Sequence, residues 1–158
     1  MFIKSLLELP GMKIIAITNA VHDIVELEWL TQSEAVHRQL RTHLPTDYVV
    51  RMREVFASGA DMAVCVHDGK VCGIAVFRIL EKTYNGRELY CDDLVTDEAR
   101  RSSGVGRALI GYMETVAAEH GCDCLALDSG TQRQQAHKFY FREGLTIPAF
   151  HFSKQLKK

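Results

Sequence analysis

A short glycine-containing loop between a strand pattern and a helix pattern is the feature that most restricts the fold of this 158-residue chain. The segment before the loop, 88–96, combines apolar and β-branched residues over a short length, which predicts a strand. After the loop, apolar side chains recur every three or four residues from Val105 to Val116, which predicts an amphipathic helix. A strand–loop–helix unit of this kind is typical of layered α/β proteins.

The rest of the chain predicts a single α/β (α+β) domain, 1–158, with a central mixed, mostly antiparallel sheet. Residues 1–11 are interpreted as an N-terminal extension, because Met12 directly precedes the first strand pattern. Only eleven glycines and three prolines occur, too few for a disordered or collagen-like chain. The predicted elements, with approximate ends, are strand 13–18, helix 20–41, helix 47–57, strands 62–66, 71–80 and 88–96, helix 105–120, strand 124–127, helix 136–143 and a closing strand 146–156.

Composition excludes two broad classes of function. Lys and Arg number 19 against 20 Asp and Glu, so the chain lacks the basic excess that indicates nucleic-acid binding. No apolar run approaches the roughly 18 residues that a membrane span needs, so no membrane partner is expected. The N-terminal ten residues lack a signal-peptide cleavage pattern, and we expect a cytoplasmic protein.

The five cysteines are interpreted as reduced thiols that pack as small apolar groups. The Asp68-Gly69 pair predicts a two-residue hairpin turn, which sets Cys65 opposite Cys72. Whether that pair ever oxidises is left open. Cys122 and Cys124 lack the spacing of a zinc knuckle, and no metal site is predicted.

The glycine loop has the character of an anion site. Two glycines allow a close backbone approach, and the next helix offers unpaired N–H groups at the positive end of its dipole. A dinucleotide fingerprint fails because Leu109 replaces its third glycine, and a P-loop fails because no Gly-Lys-Ser/Thr follows. An ordinary loop with solvated arginines remains the alternative. The candidate pyrophosphate-binding residues are Arg101, Ser102, Ser103, Gly104, Val105, Gly106 and Arg107.

Four blocks of sequence together resemble one family. Arg101-x-x-Gly104-x-Gly106 resembles the acetyl-CoA pyrophosphate signature of the GNAT family of N-acetyltransferases. The other three blocks occur in the order of that family: Asp92–Thr96, then Ala136–Tyr140 with Gly144, then His151–Lys154. The resemblance implies the GNAT acyl-CoA N-acyltransferase fold, with a splayed strand pair and about four flanking helices. It also implies acetyl-CoA as co-substrate.

The resemblance further implies a role for individual residues. Pantetheine would lie along the backbone of Leu94, Val95 and Thr96, with the amide near Val95 polarising the thioester carbonyl. Tyr140 matches the general acid that protonates the leaving thiolate, with a core aromatic beside Phe139 and Phe141 as the alternative. Asp92 and Asp93 are the candidates for the general base, with a solvated carboxylate as the alternative. Arg133 stands where the family often has asparagine, and an arginine there can reach a CoA phosphate.

The resemblance implies transfer of an acetyl group from acetyl-CoA to a primary amine by direct attack in a ternary complex, and we expect that amine to belong to a small molecule. A protein lysine or N-terminal acetyltransferase is one alternative, and a non-catalytic acyl-CoA-binding regulatory module is another. The identity of the acceptor amine and of the general base is left open. A homodimer is expected because related domains often pair. Among the histidines only His137, one helical turn from Tyr140, is singled out; the others, His37 included, show no ligand spacing.

Overall fold

A computed structural model describes residues 11–157 of the chain. Within this range, no helix combines the length and the apolar character that crossing a bilayer demands. The described elements are β1 Met12–Ala16, α1 Leu27–Leu40, α2 Tyr48–Ala57, β2 Ala60–His67, β3 Lys70–Lys82, β4 Gly86–Thr96, a short 3₁₀ helix Glu98–Arg100, α3 Val105–Glu119, β5 Cys124–Leu127 and α4 Gln134–Arg142.

The five strands form one sheet in the order β1-β2-β3-β4-β5. The strands from β1 to β4 pair with their neighbours in antiparallel register. At the beginning of β5, the Asp123 N–H donates to the Arg87 carbonyl oxygen at 2.7 Å, and the Arg87 N–H donates to the Asp123 carboxylate at 2.9 Å. The mixed sheet and its helices confirm the predicted α/β class.

The two faces of β3 bury different helices, because neighbouring strand residues point in opposite directions. Ile74 and Val76 belong to a buried cluster that includes Leu30 of α1 and Met52 of α2. On the other face, a Cβ atom built on Gly73 would lie 2.4 Å from Val105 Cγ1 of α3. The glycine therefore lets the beginning of α3 pack directly on the strand.

The chain divides into two compact units, the first ending at Ala126 and the second beginning at Leu127. The first contains β1 to β4, α1 to α3 and most of β5, and the second contains α4 and the residues after it. The assignment of residues 1–158 to one domain stays a prediction. Residues 1–10, which make up most of the expected N-terminal extension, lie outside the described residues.

The expected closing strand 146–156 is wrong, since the structure assigns neither helix nor strand to that segment. Pro148 has no N–H to give to a ladder. The four apolar side chains that suggested a strand are also between 64 and 90% exposed. They bury too little surface to offset the conformational entropy that the backbone would lose in forming a strand. These are Ile147, Phe150, Phe152 and Leu156.

The first helix begins at Leu27, seven residues later than predicted. The Asn19 side chain accepts hydrogen bonds from the Val21 and Asp23 N–H groups, both at 3.0 Å, and so stabilises a turn instead. His22 within this turn has a positive φ of 64°. Local side-chain bonding therefore overrides the helical spacing of the apolar residues.

The expected pairing of Cys65 with Cys72 is also wrong. The hairpin turn is confirmed, with His67 opposite Lys70 and Val66 opposite Val71. A register shift then leaves Cys72 as an extra residue and sets Cys65 opposite Gly73. Both cysteines are free thiols, and Cys72 Sγ donates to the Cys65 carbonyl oxygen at 3.2 Å.

Candidate active site

A bulge in β4 brings the two predicted acids into one cavity. Val76 pairs with Asp93 and Phe77 pairs with Cys91, so Asp92 is an extra residue in β4. The bulge interrupts the alternation that would turn one of two neighbouring side chains away. Asp92 and Asp93 consequently both line a cavity of about 500 Å³.

The cavity lies between the sheet and the first two helices, and its walls are of two kinds. One part is apolar, and it comprises Leu40, Leu44, Pro45, Met52, Val55 and Val76. The other part is polar and charged, and it comprises His37, Arg41, Thr42, His43, Arg51, Arg78, Asp92 and Asp93. Its size and mixed lining are typical of a site for a small organic molecule.

Asp93 is nearly buried, with 12% of its side chain exposed, and two side chains at the end of α1 bind its carboxylate. The ring nitrogen Nε2 of His37 lies 2.7 Å from one carboxylate oxygen, and Arg41 Nε donates to the other at 2.6 Å. Burial raises the pKa of this carboxyl, but the bonds from His37 and Arg41 outweigh it and hold the pKa below its usual range. Asp93 is therefore a carboxylate at neutral pH.

His37 connects Asp93 to a buried hydroxyl pair. Its Nδ1 lies 2.9 Å from the Tyr48 hydroxyl, which in turn lies 3.1 Å from Ser33 Oγ. Burial raises the pKa of Tyr48 to about 12, so the hydroxyl keeps its proton at neutral pH. Because a carboxylate only accepts, Nε2 donates to Asp93, and in the neutral ring Nδ1 accepts from Tyr48.

Sequence reasoning missed His37, which it grouped with the histidines of no ligand spacing. A signal was present, since Ser33 and His37 are four residues apart on the same helix face as Leu30. All three are buried. Two polar residues on an apolar helix face require buried hydrogen-bond partners, which is the role they have here.

Asp92 is paired with Arg78 of β3. Arg78 Nε donates to both Asp92 oxygens, at 3.2 and 2.9 Å, and Nη2 donates to Oδ2. Arg41 Nη2 also donates to the backbone carbonyl of Asp92 at 3.1 Å. Both acids predicted as bases are thus bonded to arginines.

The segment after β4 is attached to the end of α1. The Gln39 side chain donates to the Asp97 carboxylate at 3.1 Å and accepts from the Glu98 N–H at 2.9 Å. The Asp97 N–H donates to the Cys72 carbonyl oxygen at 2.9 Å. These bonds fix the chain where it leaves the sheet and enters the glycine loop.

The predicted pyrophosphate-binding residues form one turn. Ser102 and Gly104 have positive φ angles of 63° and 89°, and α3 begins immediately afterwards. The Ala108 N–H donates to the Gly104 carbonyl at 3.0 Å as the first bond of the helix, so the N–H groups of Val105 and Gly106 have no acceptor within α3. Positive-φ turns before a helix N-terminus suit an anion. The side chains of Arg101, Ser102, Ser103 and Arg107 are exposed around it.

The backbone N–H groups at the end of β4 point alternately towards β3 and towards the opposite edge of the strand. Leu94, Val95 and Thr96 pair with Ala75, Ile74 and Gly73 of β3. Hydrogen-bonded positions alternate along an antiparallel pair, and Asp97 is bonded to β3. The alternation directs the Val95 N–H towards β3, and the Leu94 and Thr96 N–H groups towards the opposite edge of β4.

The second unit contains the remaining predicted residues. The Tyr140 ring on α4 packs against the Phe139 ring, with centroids 5.5 Å apart. Arg133 is exposed and directly precedes α4, and its N–H donates to the Gly130 carbonyl at 3.0 Å. His137 Nε2 also lies 3.0 Å from the Gly130 oxygen. Within residues 11–157, no group of three or more His, Cys, Asp or Glu side chains is arranged to hold a metal ion.

The model of the acetyltransferase (GNAT) family matches residues 21–144, which is most of the chain. The chain belongs to the GNAT family of acetyltransferases. An uncharacterised N-acetyltransferase of Bacillus subtilis is 32% identical over 133 residues, 80% of this chain and 91% of that protein. The chain is accordingly an N-acetyltransferase.

Two further comparisons concern N-acetyltransferases whose names include a substrate. An aminoalkylphosphonate N-acetyltransferase of Salmonella typhimurium is 33% identical over 64 residues, 40% of this chain and 42% of that protein. The solved structure of an aminoglycoside N-acetyltransferase with a bisubstrate analogue has a TM-score of 0.77 at 18% identity, covering 93% of this chain and 99% of the other. The second comparison shows that the GNAT fold is shared.

Proposed function

We propose that this chain transfers the acetyl group of acetyl-CoA to a primary amine of a small molecule, by direct attack in a ternary complex. The observation that supports this best is the arrangement of β4. Its bulge places Asp92 and Asp93 in a cavity of small-molecule size, and the same strand leads into the Gly104 turn. An acceptor in the cavity and a diphosphate on the turn would therefore be bound at one end of one strand.

The reaction requires a neutral amine, whose nitrogen attacks the thioester carbonyl carbon. The C–N bond forms, the C–S bond breaks, the nitrogen gives up a proton and the leaving thiolate takes one. A free amine has a pKa of about 10.4, so at pH 7 deprotonation costs about 4–5 kcal/mol. Asp93 has a pKa below its usual range and is a weak proton acceptor. We therefore assign Asp92 and Asp93 to stabilising the positive charge that develops on the nitrogen.

The thioester half of the reaction involves backbone and tyrosine donors. The Leu94 and Thr96 N–H groups, directed away from β3, are the candidates to pair with pantetheine and to polarise the thioester carbonyl. This assignment replaces the Val95 amide, which the strand alternation directs towards β3. Tyr140 is assigned as the acid that protonates the thiolate, and Arg133 as a contact to a CoA phosphate.

The test is thiol release from acetyl-CoA across a panel of small amines and lysine peptides. We expect turnover with small amines, and we expect Tyr140→Phe to lower kcat by about 10²- to 10⁴-fold while acetyl-CoA affinity is retained. Tyr84→Phe is the matched control, because Tyr84 is 75% exposed and contacts Lys82 outside the cavity. Full activity of Tyr140→Phe, or silence with every amine, would contradict the proposal. A cytoplasmic location and a homodimer stay predictions.

A further inference from the structure

The charges that line the cavity favour one kind of acceptor. Three arginines and two aspartates face it, which leaves an excess of one positive charge with the histidines neutral. The lining therefore offers one more cationic than anionic group, which favours an acceptor that carries an anionic group over one with several ammonium groups.

Two of the three arginines are already committed to carboxylates. Arg41 bonds to Asp93, and Arg78 bonds to Asp92 through two donor atoms. Both carboxylates are mostly buried, with 12% of the Asp93 side chain and 25% of the Asp92 side chain exposed. Separating either pair would leave a mostly buried carboxylate without its partner, so we expect both arginines to stay bonded to Asp93 and Asp92 when a ligand binds.

Arg51 on α2 differs from the other two. Its partner is Glu54 at 2.9 Å, one helical turn away, and Glu54 does not line the cavity. The side chains of Arg51 and Glu54 are 48 and 61% exposed. Exposed ion pairs of this kind contribute little to stability. Arg51 can therefore exchange its bond to Glu54 for a bond to an anionic ligand at a small cost in free energy.

We propose that the acceptor is a small zwitterion, a primary amine that also carries a phosphonate or carboxylate group, and that Arg51 binds the anionic group. This inference rests on the proposed function and specifies its substrate. The ammonium end lies towards Asp92 and Asp93, since each carboxylate has lone pairs beyond those its arginine uses. The bulge that carries these acids is directly followed by Leu94 and Thr96, where the thioester is proposed to bind. The anionic end lies on Arg51, and the apolar wall contacts the short carbon chain between them.

The experiment compares acceptors of equal length and different charge with the full chain and acetyl-CoA. 2-Aminoethylphosphonate and β-alanine are the two anionic probes, propylamine is the neutral-tail control, and 1,3-diaminopropane is the cationic one. We expect kcat/KM to be highest for one or both anionic probes and lowest for the diamine. The ranking of the two anionic probes tells a phosphonate from a carboxylate.

Arg51→Gln tests the assigned residue. We expect its KM for the anionic probes to rise about tenfold or more, and by clearly more than its KM for propylamine, so that the preference for an anionic group is lost. Arg53→Gln is the matched control, because Arg53 is exposed on the same helix but lines a different cavity, with Phe56 and Ala57. It should behave as wild type with every acceptor.

The outcomes separate this inference from the proposed function. Efficient acetylation of the diamine or of propylamine, with the anionic probes poorer, would overturn the zwitterion while leaving the acetyltransferase in place. An unchanged KM for the anionic probes in Arg51→Gln would overturn the assignment of Arg51. Failure of every amine to release thiol would remove the proposed function itself, and the inference with it.

Discussion

Asp93 is the residue on which three elements of the first unit converge. It lies in β4, receives hydrogen bonds from His37 and Arg41 of α1, and reaches Tyr48 of α2 through the His37 ring. The bonds to Asp93 span more than fifty residues of sequence, so they form only when the helices pack on the sheet. A buried carboxylate with this many donors is both a stabilising group and a fixed charge at the cavity.

Replacing Asp93 by asparagine should destabilise the fold at neutral pH. The variant leaves the buried His37 and the Arg41 guanidinium without the negative charge that they share, and we expect a loss of about 2–3 kcal/mol in the free energy of unfolding. Urea unfolding measures it. Asp68→Asn is the control, because Asp68 is 73% exposed beside His67, and it should change stability by less than about 0.5 kcal/mol.

The same comparison has a definite pH dependence. The pKa of Asp93 is lowered in the folded state, so its contribution is fully present above the unfolded pKa of about 3.9 and is lost as the pH falls through the folded value. The gap in the free energy of unfolding between wild type and Asp93→Asn should shrink as the pH falls below about 4. A gap that widens on acidification would contradict the assigned sign.

At the scale of elements, the contact between β3 and α3 positions the loop. Gly73 lies under the first turn of α3, where an added methyl group would meet Val105 Cγ1 at 2.4 Å and the Val95 carbonyl oxygen at 3.1 Å. Val105 is the first residue of the helix and is 1% exposed. Any side chain at position 73 therefore displaces the turn that carries Gly104.

Gly73→Ala should destabilise the protein by about 1–3 kcal/mol and weaken acetyl-CoA binding, because the helix must move away from the strand. Val105→Ala, which removes the clashing atom, should cost less stability in the Gly73→Ala background than in wild type. Urea unfolding of the four proteins in the cycle, with acetyl-CoA titration of each, provides the measurement. Additive effects of the two changes would show that the contact is not the cause.

The elements that the sequence predicts well are those defined by local signals. The Asp68-Gly69 turn and α2 are such cases, with the Asp47 side chain capping α2 by accepting from the Val50 N–H at 3.0 Å. The bulges at Cys72 and Asp92 insert one residue without changing composition, so no local pattern reveals them. The predicted start of α1 is wrong for a different reason, because Asn19 stabilises a turn in a segment whose apolar residues have helical spacing.

At the scale of the whole molecule, the site also has parts that a local sequence pattern predicts and parts that only the folded chain brings together. The loop from Arg101 to Arg107 is contiguous in sequence and could be recognised directly. The cavity proposed for the acceptor combines α1, α2, β3 and β4, and its charge balance emerges only when Arg51 and Arg78 face the same space. For His37, the helix face indicates a buried polar residue, but its partner Asp93 is 56 residues away and cannot be identified from the sequence.

The central claim is that the turn at Gly104 binds the diphosphate of acetyl-CoA. Calorimetric titration of the full chain with acetyl-CoA and with acetyl-pantetheine, which lacks the diphosphate and the nucleotide, tests it most directly. We predict saturable binding of acetyl-CoA, at least about 100-fold weaker binding of acetyl-pantetheine, and a large loss of acetyl-CoA affinity in Gly104→Val, since a β-branched residue is strained at a φ of 89°. Equal affinities for the two ligands, or full acetyl-CoA binding by the folded Gly104→Val protein, would contradict the account.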